Sequence, residues 1–173
     1  MELVNHVLLA LVPLFACCLV WYRRLLSGES VLVVVFASLF PDLVDKPLAW
    51  WYGVIPSGRM LAHSLVIAIS LLTGVILLAT RSDRLLPGLV FVWGYLSHLV
   101  GDFYPVLSQG ADYYWYPNLF WPLVEARPDR NPGFGSHFPW FGIESVYEWV
   151  AIVAVLAYVV YDLRRRQIRL VTS

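Results

Sequence analysis

At 173 residues the chain has the length of one domain, but 60% of it is apolar and only 14% charged, with a mean hydropathy of +0.68. Soluble domains run at roughly 45–50% apolar with about a quarter of their residues charged, so this composition points to a membrane protein. Twelve basic residues balance twelve acidic ones, which excludes a globally basic nucleic-acid binder and leaves charge distribution as the informative quantity.

Helices of about 20 apolar residues, enough to cross a bilayer core of about 30 Å, are expected at 3–22, 31–51, 60–79, 85–106 and 144–162. The first is read as a retained span: no basic residue precedes it, and Phe15 suits a lipoprotein cleavage box at Cys17 poorly. Adjacent Cys17 and Cys18 can neither pair easily nor make a spaced zinc motif, so both are read as small packing residues. The second run is apolar from Val31 to Phe40, then broken by Pro41, Asp42, Asp45 and Pro47. It is counted as a span, kinked or partly re-entrant, because irregular backbone at membrane depth requires cover by protein or water.

The one long connection, 107–143, carries Tyr113, Tyr114, Trp115, Tyr116, Phe120, Trp121, Phe134, Phe138, Trp140 and Phe141. Such rings favour the headgroup level, and the Pro and Gly among them argue against a long helix, so this segment is expected to cap the outer surface. The fold class is therefore all-α, a polytopic membrane bundle of five helices forming a single integral-membrane domain over 1–173.

Five spans place the ends on opposite sides. One side receives Arg23, Arg24, Arg81, Arg84, Arg164, Arg165, Arg166 and Arg169; the other receives Lys46, Arg59, Arg127 and Arg130. Cytoplasmic loops carry the basic excess, so the C-terminus is expected in the cytoplasm and the N-terminus outside.

Ionisable groups within spans are costly, at least about 2.5–3.5 kcal/mol each on insertion scales, and so mark function. His6, Asp42, Asp45, Arg59, His63, His98 and Asp102 all fall in the outer half of the membrane under this topology. His98 and Asp102, four apart, share a helical face, as would Arg59 and His63. An imidazole nitrogen and a carboxylate aimed at one point suit zinc or a similar divalent ion. A lone membrane histidine is more often a helix–helix contact, and Asp–Arg or Asp–His pairs can be structural bridges. A metal site and a structural or proton-relay network both remain open, and the excess of carboxylates over cations favours the metal.

Asn5-His6, Phe40-Pro41-Asp42-Leu43-Val44-Asp45, Arg59-Met60-Leu61-Ala62-His63-Ser64 and Gly94-Tyr95-Leu96-Ser97-His98-Leu99-Val100-Gly101-Asp102 together resemble the YdjM-like family of LexA-binding, inner-membrane-associated hydrolases. The motif order is also similar to that of zinc-dependent phospholipase C and related nucleases. The resemblance, which covers 1 to about 125, implies a metal-dependent hydrolase at the cell membrane. It implies His6, Asp42, His63, His98 and Asp102 as ligands, Asp45 as ligand or general base, and Arg59 as substrate clamp. Gly58 stands where members often have His, and the later phospholipase ligands find only His137, Glu144 and Glu148 as loose counterparts.

The chemistry then expected is attack of metal-activated water on a phosphoester, with zinc first and manganese second as the ion. Ser64 and Ser97 would orient ligands. A site at headgroup depth meets membrane lipids by lateral diffusion, so a phospholipid or lipid-linked phosphate is the expected substrate. A non-enzymatic transporter or a metal- or proton-handling protein is the alternative. A scaffold acting through Arg164–Arg169 is a third reading, weakened because arginines after a span usually only anchor topology.

Overall fold

Where the sequence runs apolar the backbone satisfies itself as helix. The computed structural model describes residues 3–130 and 145–171, and among these the chain is all-helical, without a strand. The long helices are α1 (Leu3–Tyr22), α2 (Gly28–Lys46), α3 (Leu65–Arg81) and α4 (Leu85–Phe103). A single turn, α5 (Val106–Gln109), and two 3-10 turns, Gly110–Asp112 and Tyr116–Phe120, follow before α6 (Val146–Val171). Leu3–Tyr22, Leu85–Phe103 and Val146–Ile168 are each long and apolar enough to cross a membrane, while the apolar α3 is shorter at 17 residues.

The boundaries depart from expectation where polar groups intervene. Pro41 does not end α2, which continues to Lys46 and then widens into a π-helical turn over Pro47–Trp51. Pro47 has no N–H to give to the regular ladder, which accounts for the local change in pitch. Residues 52–64, expected to open the third span from 60, form an irregular loop. α3 starts only at Leu65 because the Ser64 hydroxyl accepts from the N–H of Val66 and Ile67, the usual device for starting a helix. Arg59 and His63 therefore do not share a helical face.

α2 is the central helix, packed against α1, α4 and α6, and α4 also contacts α1 and α3. One apolar cluster unites Ala10 and Leu11, Val31 and Val34, Val90 and Val159; another unites Ala68, Leu72, Tyr95 and Leu99. The closest approach is at Gly94, where an added Cβ would lie 2.9 Å from both the Val34 carbonyl oxygen and the Ala37 Cβ. Outward faces remain apolar, with Val20, Trp21, Leu78 and Val100 all more than 60% exposed. Such a surface suits lipid and would be a liability in water.

The two ends of α2 differ. At its start Ser27 accepts from the Ser30 N–H, and the Gly28 N–H donates to Asp162 of α6 at 2.8 Å. Asp162 also accepts from Arg166. At its far end lie Asp42, Asp45 and Lys46, all buried.

The segment after α4 is fastened to the 52–64 loop by side chains. Asn118 donates to the carbonyls of Arg59 and Arg127 and accepts from the Arg127 N–H. Asp129 accepts from the Trp50 indole, the Ser57 hydroxyl and the Gly58 N–H, each within 2.9 Å. The Ser64 hydroxyl donates to the Trp121 carbonyl. The rest of the expected loop, with Phe134, His137, Phe138, Trp140, Phe141 and Glu144, lies outside the described residues.

Candidate metal centre

Three helices and one loop bring the ionisable residues to the end of the bundle where α2 finishes. α1 supplies His6, α2 supplies Asp42, Asp45 and Lys46, the 52–64 loop supplies Arg59 and His63, and α4 supplies His98 and Asp102. All three histidines and Asp45 are 0% exposed, Asp42 3% and Asp102 5%.

Four of them converge: one donor atom each from Asp42, His63, His98 and Asp102 lie within 4.8 Å of one another, a group that can hold a metal ion. The two imidazole Nε2 atoms are 3.0 Å apart. His63 Nε2 lies 3.5 Å from Asp102 Oδ2 and 3.6 Å from Asp42 Oδ1, and His98 Nε2 lies 3.8 Å from Asp42 Oδ1. Donors bound tetrahedrally at about 2.0–2.2 Å sit about 3.3–3.6 Å from one another, so these separations bracket those around a shared ion, and the more distant donors would draw in by small side-chain shifts.

The groups behind the imidazoles determine which face they present. Asp45 lies 2.8 Å from His63 Nδ1, and the Ser38 carbonyl 2.6 Å from His98 Nδ1. Both oxygens are acceptors, so each Nδ1 carries hydrogen, and when the rings are neutral each Nε2 turns a lone pair toward the other. Two facing lone pairs 3.0 Å apart repel unless a cation or a shared proton lies between them. Asp42 Oδ1, buried and without a hydrogen-bond partner, faces the same point. An acceptor left so costs roughly 1–3 kcal/mol, which a bound cation would recover. The donor set therefore fits a divalent ion.

Charge points the same way. Asp42 pairs with Lys46 at 2.5 Å and Asp102 with Arg59 Nε at 2.7 Å. Three carboxylates against two cations leave one negative charge uncompensated when the imidazoles are neutral. The deficit is smaller than the carboxylate excess alone suggests, because Lys46 had not been counted with the site. Its spacing, four residues after Asp42 on one helix, is the signal that reveals it.

The other expected residues take different places. Asp45 does not join the four: it accepts from the N–H groups of Met60, Ala62 and His63 as well as facing His63 Nδ1. A carboxylate so occupied orients the loop and has little left for a metal or a proton. His6 stacks on His98 with ring centroids 3.9 Å apart, its Nε2 3.1 Å from Asp102 Oδ1. That contact has the distance of a hydrogen bond but not its direction, and both ring nitrogens are without partners. His6 thus stands beside the four, against His98 and Asp102.

Arg59 lies over the centre, its guanidinium 4.8 Å from the Trp115 ring. Burial alone would lower its pKa, but Asp102 outweighs that and raises it, so Arg59 stays charged. Ser64 caps α3 and Ser97 bonds the Trp93 carbonyl, so neither touches a ligand side chain. Glu148 accepts from the Ser145 N–H and hydroxyl at the start of α6, a capping role. His137 and Glu144 lie outside the described residues. Two positioning residues escaped sequence reading: the Tyr95 hydroxyl holds the Ala62 carbonyl at 2.5 Å, and Asn118 holds that of Arg59.

Comparison with known proteins supports a membrane identity. No curated protein and no solved structure matches the chain. One family model does, over residues 1–168, nearly the whole length, so the chain belongs to the YdjM inner membrane protein family.

Proposed function

We propose that this protein is a membrane-bound, metal-dependent hydrolase acting on a phosphoester of a membrane lipid, either a phospholipid or a lipid-linked phosphate. The observation that carries this reading is the pair of imidazole Nε2 atoms 3.0 Å apart beside the unpartnered Asp42 oxygen. His63, His98, Asp42 and Asp102 would hold the ion, zinc first by its liking for mixed nitrogen and oxygen donors and manganese second. A divalent ion there supplies Lewis acidity and lowers the pKa of water toward about 7.

The chain's own residues supply the rest. Asp45 and the Ser38 carbonyl keep the imidazoles oriented, a role that typically matters 10–100-fold for affinity. The bond to Asp102 uses one of the five N–H donors of Arg59, and its planar fork suits two phosphoryl oxygens. His6, with unpartnered nitrogens beside Asp102, is the group we assign to take the proton from water, in place of the saturated Asp45.

The membrane setting is part of the proposal: five passes, the N-terminus outside, the basic C-terminus in the cytoplasm, and the site near the extracytoplasmic face. In support, α2 spans about 28 Å at 1.5 Å per residue, close to a bilayer core. It separates the His/Asp group from the Arg24, Arg165 and Arg166 end.

The test is metal content and hydrolysis of a chromogenic phosphodiester by purified protein with zinc or manganese. About one ion per chain and turnover, both lost in His98→Ala, are expected. Metal-free protein, or turnover that survives His98→Ala, would refute the assignment. The enclosure of the group favours one other reading, a proton relay in which His63 and His98 share a proton. Proton uptake by proteoliposomes without hydrolysis would select it.

A further inference from the structure

A second cavity of about 350 Å³ lies beside the centre, lined by Asp112, Tyr113, Tyr114, Trp115, Arg127 and Arg130 among others. Its size is that of a small polar headgroup rather than an acyl chain. It shares a wall with the metal centre: the Tyr113 hydroxyl donates to the Asp102 carbonyl at 3.1 Å, and Trp115 lies against Arg59.

Two kinds of headgroup suit a pocket walled by aromatics: a quaternary ammonium, held by ring faces, or an anion held by guanidinium groups. Here the ring faces already have cations. Arg130 sits 4.2 Å and Arg127 5.8 Å from the Tyr114 ring, and Arg59 occupies Trp115. A further cation would meet the positive charges of Arg127 and Arg130, with Asp112 as the acidic residue of the lining among the described residues. Tyr113 lines the pocket with its hydroxyl hydrogen already given to the Asp102 carbonyl. The Trp115 indole N–H, buried and unpartnered, is a donor without an acceptor. The two guanidinium groups of the wall, Arg127 and Arg130, outnumber its one acidic residue, Asp112, and so favour an anion.

We infer that this pocket is the headgroup subsite of the proposed hydrolase, and that it takes a second anionic group on the substrate beyond the phosphate presented to Arg59, excluding choline-type headgroups. This rests on the hydrolase reading for its role, but the anion pocket itself can be tested without turnover.

The experiment is calorimetric titration of the full chain in detergent with fructose 1,6-bisphosphate, fructose 6-phosphate and phosphocholine. The bisphosphate should bind at least about tenfold more tightly than the other two, as expected for one added charge-assisted contact. That preference should vanish in Arg127→Gln/Arg130→Gln and fall severalfold in Arg130→Gln alone, whose guanidinium lies against the Tyr114 ring. Equal affinity for bisphosphate and monophosphate, phosphocholine binding as tight as the bisphosphate, or a preference retained by the double variant would overturn the subsite. Preference without hydrolysis of any phosphodiester would leave the anion pocket standing and remove the enzyme. Hydrolysis without preference would do the reverse.

Discussion

The two ends of α2 both gather carboxylates, and they use them differently. At the start, Asp162 is 20% exposed at its side chain, accepts the Gly28 N–H and pairs with Arg166, itself 49% exposed. Its bonding capacity goes into joining two helices. At the far end, Asp45 is spent in the same way on the 60–63 backbone, whereas Asp42 keeps one buried oxygen without a partner. A carboxylate that the protein has satisfied is structural, and one that it leaves wanting marks where a ligand belongs.

The largest expected effect tests the satisfied member of the inner pair. Asp45→Ala removes the acceptor of three N–H groups, and breaking a buried charge network of this kind costs about 3–5 kcal/mol. Denaturant unfolding in detergent should show that loss, and metal affinity measured against a chelator should fall 10–100-fold as His63 loses its orientation. A change as mild as that of a surface pair would erase the contrast between the two ends.

Next comes the ion. Metal at 100 times its Kd should raise stability by about 2.7 kcal/mol, seen as a higher unfolding temperature that chelation reverses. Asp42→Asn should abolish that gain. If it responds to metal as the wild type does, the unpartnered oxygen is not a ligand.

A smaller effect is expected at the α2–α4 seat. Gly94→Ala puts a methyl group 2.9 Å from the Val34 carbonyl, which as backbone cannot turn aside. Overpacking of this kind costs about 1–3 kcal/mol, and shifting α4 would weaken the hydrogen bond from His98 Nδ1 to Ser38. Thermal unfolding and metal titration of the variant together check both parts. The smallest effect closes the comparison: Asp162→Asn should cost at most about 1 kcal/mol in the same unfolding assay and leave metal affinity unchanged.

Much of this architecture was readable because its signals are local. Apolar runs of helical length give α1, α4 and α6, and His98 with Asp102 four residues later is visible without knowing any neighbour. His6, Asp42 and His63 could be added because costly groups at one membrane depth have few reasons to coincide. What escaped depends on tertiary partners. Nothing near His63 in sequence shows that residues 52–64 leave the helix to wrap Asp45, whose acceptors substitute for the missing ladder. Nor does the composition of residues 107–130 show that Asn118 and Asp129 reach back to positions 57–59. Lys46 is the instructive omission: its spacing from Asp42 is in plain view, yet within the expected 31–51 span it enters only the count of charges on each side.

The fastening by Asn118, Asp129 and Ser64 has a kinetic consequence. These bonds run between two loops and include no helical ladder, so the loops can part while every helix stays intact. Amide hydrogens at Gly58 and Asp129, which bond across the two loops, should then exchange far sooner than those of α2 and α4. The traffic of molecules into and out of the bundle would be timed by three polar side chains on its roof, with the helices themselves standing still.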